Sequence, residues 1–375
     1  MPRPVPCASG QHRVRLDPQR YWRSARCPVC RAPVDRWRVR RAVELVWPER
    51  WTRPVQVSWA AFGAAVLVLV TLYGLGDRQW LGTTILFAGR WIWLVPIVGW
   101  LLVLLAWRPR PLLPSLVPTL AAAWVVLFGV MDLQTGWRAL WPSSGPTIRV
   151  LTFNVAGRAE VAQRIPLLLE RWAPDVAVFQ ECGPALVAEL QQLEGWTVET
   201  TEGCLATRGT LDRVEAMPRE NIRAAEGAGL VVRYRLRVDD RPLVVTSIHL
   251  ETARHGLERL LVGANDATGA VEDNTTLRDI EHLQARRFIA AGGGPAIVAG
   301  DFNVPDESAI YRRHWRDLTN AFATAGRGFG YTKDTGWIDL RIDHILVDDA
   351  FRVVGAWVGE SIGSDHAPVI ADLAF

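Results

Sequence analysis

Three stretches of this chain stay apolar for too long to be the buried face of a soluble helix. Residues 57–76 read VSWAAFGAAVLVLVTLYGLG without a single charge, and about 20 such residues cross the hydrocarbon core of a bilayer. A second stretch, WIWLVPIVGWLLVLLAW, occupies 91–107, and apolar residues ahead of Arg90 extend it back to residue 86. A third fills 112–131. Trp59, Trp80, Trp91, Trp93, Trp107 and Trp137 sit at or near the ends of these runs, where amphipathic rings favour the membrane interface. A soluble helix keeps a polar face, so the runs read as three transmembrane helices rather than three buried ones. The first begins too far into the chain to be a cleaved signal peptide.

Past residue 133 the pattern changes. Trp141-Pro142-Ser143-Ser144-Gly145-Pro146 closes a short, stiff linker over 134–146, because prolines restrict both themselves and the residue before. Beyond it come short β-rich runs at 148–153, 176–179, 243–248, 296–298, 342–347 and 369–373. Between them, 161–172 and 277–291 place apolar residues at three- and four-residue spacing, the helical period. The chain thus divides into a segment at 1–54, three spans within 55–133, the linker, and an α/β domain from 147 to 375. Several strands of that domain end in Asn, Glu, His or Asp.

Charge sharpens the division. Charged residues make up 22% of the chain although its mean hydropathy is +0.09, so the two kinds of position are segregated. Up to Pro146 there are 18 arginines and 6 acidic residues, whereas from Thr147 onward 24 cations face 33 acids. A basic half beside apolar runs suits a membrane surface. The acidic half argues against loose, sequence-blind nucleic-acid binding, which depends on neutralising phosphates, without excluding a nuclease whose bound metal reshapes the local potential. Residues 1–54 carry 13 arginines and 4 acids, and Arg108 and Arg110 follow the second span, while only Arg78 and Arg90 lie between the first and second. The positive-inside rule then puts the N-terminus in the cytoplasm. Three crossings make this a multi-pass cell-membrane protein with an extracytoplasmic C-terminal domain.

The candidate chemistry sits at the strand ends: Asn154 in LTFNV, Gln180-Glu181 in VFQE, His249 in VTSIHL, Asp301 and Asn303 in GDFN, Asp343 in RIDHIL, and Asp365-His366 in SDHAPV. Carboxylates and an amide on converging strand ends suit a hard cation with oxygen ligands, and imidazoles beside carboxylates suit proton transfer near neutral pH. A phosphoester needs both, a metal to offset phosphoryl charge and a base to activate water. His344, next to Asp343, reads as structural because alternation turns it to the other face. His255 and His282, in arginine-rich context, read as solvated.

The ordered set GDFN, RIDHIL and a near-terminal SDH resembles the endonuclease/exonuclease/phosphatase superfamily, the deoxyribonuclease-I-like phosphoesterases, over residues 147–375. The resemblance implies an α/β four-layer sandwich, with two packed β-sheets and outer helices. It implies Mg²⁺ or Mn²⁺ as cofactor, with Glu181 and Asp365 as metal ligands and Asn154 supporting the metal and phosphate. Asp301 and Asn303 match the pair that positions water and phosphate. His366 matches the base or phosphate ligand oriented by Asp343, and His249 the second active-site histidine. The base stays open between His366 and Asp301. Two departures stand out. Ala156 occupies a position where some members carry a second acid, and no acid is identifiable as the partner of His249, Glu202 being the nearest guess.

The cysteines fall in two groups. Cys7, His12, Cys27 and Cys30 offer a Cys₃His set that matches a closed structural Zn²⁺ site in a small ribbon, the alternative being an arginine-rich tail with incidental cysteines. Cys182 and Cys204 are the two cysteines of the C-terminal domain, and on an oxidising side of the membrane they are expected to pair; the alternative is two small buried hydrophobes. The expectation is a membrane-anchored, metal-dependent phosphoesterase acting on nucleic acid or on a lipid head group or other small phosphoester. The rival is a non-catalytic sensor built on the same fold.

Overall fold

The apolar runs beyond residue 147 assemble into two six-stranded sheets. The computed structural model describes residues 5–6, 13–14, 51–109, 112–136, 147–224 and 227–375. Cys7, His12, Cys27 and Cys30, the expected zinc set, lie outside them. The chain forms two units, Met1–Val66 with Trp93–Val126, and Leu67–Ile92 with Leu127–Phe375.

Among the described residues, three helices are long and apolar enough to cross a membrane: Arg53–Leu75 (α1), Arg90–Trp107 and Leu113–Val130. The second opens with a 3₁₀ turn, Arg90–Trp93, and continues as Leu94–Trp107. The short helix Trp80–Leu86 (α2) precedes it as a separate element. Leu113–Trp124 runs into a π-helical turn, Val125–Val130. Within the first unit these helices are tied by a polar cluster: Ser58 Oγ accepts from Trp100 Nε1 at 2.9 Å and from Thr119 Oγ1 at 3.1 Å. A hydroxyl buried among apolar helices gains such partners at little competing cost from water.

In the second unit, one sheet is built from Thr147–Asn154 (β1), Val176–Gln180 (β2), Thr197–Glu199 (β3), Cys204–Thr207 (β4), Arg352–Val358 and Val369–Ala374. The other contains Thr210–Ala216 (β5), Leu230–Val238 (β6), Arg241–His249 (β7), Ala296–Asp301 (β8), Thr319–Asn320 (β9) and Asp343–Val347 (β10). With Arg352–Val358 as β11 and Val369–Ala374 as β12, the strand orders are β11-β12-β1-β2-β4-β3 and β9-β10-β8-β7-β6-β5. Both sheets are mixed: β1/β2 and β7/β8 run parallel, their other neighbours antiparallel. All five residues of β2 and of β10 are buried, so their apolar stretches Val176–Phe179 and Ile345–Val347 do not alternate with polar positions.

The inner faces meet through Val150, Val178, Val232, Val245, Ile297 and Ile345. Ala159–Ala162 (α3), Ile165–Trp172 (α4) and Pro184–Gln191 (α5) cover the outer face of the first sheet through Ile165, Leu169, Leu186 and Leu190. Ala267–Ala290 (α7) and Ala309–His314 (α8) cover the second through Ala285, Ile289, Ile310 and Trp315. Ser308 caps the latter, accepting from the Ile310 and Tyr311 amides. Helix Arg254–Leu261 (α6) lies between β7 and α7 in sequence. These layers are the sandwich that the sequence led us to expect. His282, expected in solvent, is fully buried on α7, where its Nδ1 accepts from Trp315 Nε1 at 2.8 Å. Burial holds its pKa well below the usual histidine value.

The segments that flank the candidate spans are built into this unit. Asp77 accepts from Arg278 and Ser308, Arg90 pairs with Glu307, and Arg341 reaches Asp132 and Asp306. Gln134–Thr135 pairs antiparallel with Arg327–Gly328.

Candidate active site

Each sheet contributes one parallel strand pair, and the carboxyl ends of the two pairs converge. In the first sheet Asn154 sits opposite Gln180, with Glu181 next. In the second, His249, Asp301 and Asp343 lie on one rung of three neighbouring strands. The Asn154 amide joins the two sheets: Nδ2 donates to Glu181 Oε1 at 3.0 Å and to Asp301 Oδ2 at 3.1 Å. Its Oδ1 accepts from the Ala156 amide at 2.9 Å, which fixes the orientation of the side chain. His249 Nε2 faces the same two carboxylate oxygens at 3.7 and 3.9 Å. Those are the acids His249 meets, whereas Glu202 lines a neighbouring cavity of about 340 Å³ with Arg219 and the Cys182–Cys204 disulfide.

His366 forms the centre of the second half. Its Nδ1 bonds Asp343 Oδ2 at 2.8 Å, and its Nε2 lies 3.6 Å from Asp301 Oδ2. Burial alone would lower the His366 pKa, but the carboxylates of Asp343 and Asp301 outweigh it and raise the ring to about 9. Burial, reinforced by Asp343, pushes Asp301 above the ordinary carboxylate range. Asp365 is also partly buried, yet the hydrogen bond and charge of Lys333 bring it below that range. Oδ1 of Asp365 and Oδ1 of Asp343 are buried without a hydrogen-bond partner among the described residues. Such oxygens keep a full capacity to bind a cation or a proton donor. Asn303 donates from its amide side chain to the Leu250 carbonyl at 2.7 Å, and its backbone N–H donates to Asp301 Oδ1 at 2.8 Å.

The backbone is held in sparsely populated conformations here. Glu181, Asn303 and Ala156 have φ of 53°, 51° and 52°, a region that costs a non-glycine residue on the order of 1–3 kcal/mol. Gly300, ahead of Asp301, has φ of 152°, and a Cβ there would meet the Ile248 carbonyl oxygen at 1.9 Å. The glycine of GDFN is thus what lets β8 lie against β7 at the site.

All eight residues expected at the site from the C-terminal domain come together. The sequence reading missed three others. Ser364 Oγ donates to the Asn154 carbonyl at 2.8 Å and accepts from the His366 amide at 3.1 Å, anchoring the SDH turn to β1. Thr332 Oγ1 accepts from the amides of Ile342 and Asp343, both at 3.1 Å. Lys333 is the third. Its Nζ lies 2.6 Å from Asp365 Oδ2 and 3.0 Å from His366 Nε2. It is also the only lysine in the chain, every other one of the 42 lysines and arginines being arginine, and that was the available signal. His344, read as structural, bonds the Val304 carbonyl at 3.0 Å and packs on Phe302 and Tyr311. A second acidic cluster, Asp132, Asp306 and Glu307, is compensated by Arg341 and Arg90.

The donor set at the strand ends is made of carboxylate oxygens, including the unpaired buried one on Asp365, and fits a hard divalent cation better than a thiophilic one. The sequence profile of the Endonuclease/Exonuclease/phosphatase family matches residues 151–366. Among solved structures, D. rerio TDP2 complexed with single-strand DNA product aligns at 15% identity over 62% of this chain and 100% of that chain, with a TM-score of 0.49. The human Nocturnin catalytic domain with bound sulfate anion aligns at 18% identity over 62% of this chain and 96% of that chain, at 0.46. The Bacteroides thetaiotaomicron VPI-5482 mannosyl-6-phosphatase aligns at 16% identity over 61% and 100%, at 0.44. Among curated proteins none matches the sequence.

Proposed function

Because this chain belongs to the endonuclease/exonuclease/phosphatase family, we propose that it is a divalent-metal-dependent phosphoesterase, held in a membrane by its three apolar helices. The observation that carries the reading is the convergence of Glu181, Asp301 and His249 on the Asn154 amide, beside the His366–Asp343 pair. Glu181 and Asp365 would hold Mg²⁺ or Mn²⁺, which when bound offsets charge on the phosphoryl oxygens and eases ionisation of water.

The chain's own groups divide the remaining work. Asp343 fixes the His366 tautomer, so that Nε2 is the nitrogen presented to the site. The carboxylates of Asp343 and Asp301 favour the charged form of His366 and raise its pKa to about 9, and in that form, with Lys333 turned from Nε2 to the phosphate, the ring serves the phosphate as a donor. Asp301, raised by burial, is then the acceptor for the proton of the attacking water. Lys333 adds a second compact positive charge at the same place, and His249 stands opposite, facing Glu181 and Asp301.

The membrane reading rests on length and composition of the three helices. Residues Leu67–Ile92, between the first and second, share a unit with Leu127–Phe375, after the third. An even number of crossings between them, the second and third spans, puts both on one side. The Cys182–Cys204 disulfide suits an oxidising, extracytoplasmic location for that side.

The test is hydrolysis of a chromogenic phosphodiester and phosphomonoester by the full chain in nanodiscs, with Mg²⁺, with Mn²⁺ and with chelator. Glu181→Ala and His366→Ala are each expected to lower turnover by about 10²-fold or more. Chelator-insensitive turnover, or near-normal rates in both variants, would refute the proposal.

A further inference from the structure

The cavity that holds the catalytic groups is lined by apolar side chains as well as polar ones. It encloses about 430 Å³, within the range that takes a small organic ligand. Its lining includes Glu181, His249, Asp301, Asn303, Lys333 and His366. The lining also includes Phe87, Ala253, Leu257, Leu261, Ile338 and Leu340. These come from three places: the loop after α2, helix α6, and the hairpin formed by Lys333–Asp334 and Asp339–Leu340. The basic groups of the lining, Lys333, Arg254 and three histidines, are set against Glu181, Glu251, Glu258 and Asp301, a balance that does not suit tracking a polyanion, and the apolar side chains would go unused by a sugar phosphate.

Leu261, which lines the cavity, and the sequence neighbours Val262 and Trp337 of lining residues are large exposed hydrophobics. Leu261 is 84% exposed, Val262 78% and Trp337 75%, a concentration that solvent-facing loops of a soluble enzyme avoid. Trp337 packs on Trp91 with ring centroids 6.1 Å apart, and its carbonyl accepts from Trp91 Nε1 at 3.0 Å. Trp91 lies in the first turn of the candidate span Arg90–Trp107, the position at which tryptophan marks the bilayer interface. The 333–340 hairpin, whose Ile338 and Leu340 line the cavity, is thereby tied to the start of that candidate span.

On the basis of the phosphoesterase reading above, we propose that the substrate is an amphiphilic phosphoester of the membrane. Its phosphate lies among Asp301, Lys333 and His366, and the first methylenes of its hydrocarbon chain lie along Phe87, Leu257 and Ile338. The exposed Leu261, Val262 and Trp337 sit in the interface and let the chain pass from bilayer to cavity without crossing water.

The experiment uses the full chain in nanodiscs and a homologous series of p-nitrophenyl alkyl phosphodiesters, butyl, hexyl and octyl, below their aggregation limits. Burial of a methylene is worth about a fourfold gain, so kcat/KM is expected to rise by about tenfold or more from butyl to octyl even with partial burial. Ile338→Glu and Leu257→Glu, at half-buried positions along the chain path, should flatten the series by lowering kcat/KM for the octyl ester more than for the butyl ester, and a cooperative melt close to that of the parent reports that they fold. A flat series in the unmodified protein, an undiminished gradient in both variants, or faster cleavage of a single-stranded oligonucleotide than of the octyl ester overturns the proposal. A binding arm separates the two readings: calorimetric titration with butylphosphonate and octylphosphonate in Mg²⁺. Chain-length-dependent binding without ester turnover would sink the hydrolase reading and sustain the lipid subsite. Turnover with no chain-length dependence in either arm would do the reverse.

Discussion

Replacing Lys333 is the sharpest single perturbation of this site. The ammonium stands 2.6 Å from Asp365 Oδ2 and 3.0 Å from His366 Nε2, with 15% of its side chain exposed. It therefore acts where solvent screening is weak. A charge-assisted hydrogen bond to a phosphate is worth about 1.5–3 kcal/mol, so Lys333→Ala is expected to lower kcat/KM by roughly 10- to 100-fold. Lys333→Arg should not restore the rate. A planar guanidinium on a longer stem cannot occupy the point between Asp365 and His366 that a tetrahedral ammonium fills.

The substitution also has a pH signature. Lys333 is the group that brings Asp365 below the usual carboxylate range against the opposing effect of burial. Without it the Asp365 pKa rises, so the acidic limb of the pH–rate profile should move to higher pH. Because the chain has no other lysine, amine acylation followed by peptide mass spectrometry reads Lys333 directly against the N-terminal amine. Bound Mg²⁺ and a non-hydrolysable phosphonate should protect it. Activity of Lys333→Ala within twofold of the unmodified protein, together with an unmoved acidic limb, would refute the reasoning.

Three other perturbations have defined outcomes. His366 has its folded pKa raised to about 9, so its pairing with Asp343 stabilises the fold fully below the unfolded value of about 6.5. That contribution is lost as pH rises through 9; Asp343→Asn should flatten this part of a chelator-treated melting-temperature profile. Changing Cys182 and Cys204 together to alanine opens a loop of sequence separation 22 and should cost about 3 kcal/mol in denaturant unfolding, a difference that reductant should reproduce in the parent. Gly300→Ala places a Cβ at 1.9 Å from the Ile248 carbonyl, and it should abolish turnover with a fall in melting temperature larger than that of Asn303→Ala.

The strand ends were legible because the fold repeats one device: a parallel pair in each sheet, with polar residues at the carboxyl ends of apolar runs. What was not legible has two physical sources. The first is local polarity. Helix Ala267–Ala290 begins 10 residues before the expected start at 277, because ATGAVEDNTT lacks the apolar spacing that marks a helix and buries only Val271. His282 looked solvated among charged neighbours, but the partner that buries it, Trp315, is 33 residues away. The second is chemical identity without a motif. Lys333 sits in a turn-rich segment, YTKDTG, and it gains its role from a bridge to His366 that sequence spacing does not announce.

Long-range pairing also decides what a working protein must contain. Cutting at the linker would isolate residues 147–375 and would remove Asp77, Arg90 and Asp132. Each partners a buried charge in the domain: Asp77 with Arg278, both side chains 0% exposed, Arg90 with Glu307 at 4% and 2%, and Asp132 with Arg341 at 19% and 4%. Breaking one buried pair by removing one partner costs about 3–5 kcal/mol, and a domain has only about 5–15 kcal/mol in total. Losing three at once should exceed that reserve unless the freed charges reach water. The truncated domain is therefore expected to be aggregated or molten, with weak near-ultraviolet dichroism, whereas a chain that keeps 67–92 and 127–136 should be ordered. Single substitutions give the intermediate test. Asp77→Ala should destabilise by several kcal/mol, and Arg278→Met added to it should recover part of the loss, since no uncompensated cation then remains. A well-folded, fully active 147–375 fragment would show that these pairs are dispensable and that the segments around the membrane helices are not part of the catalytic unit.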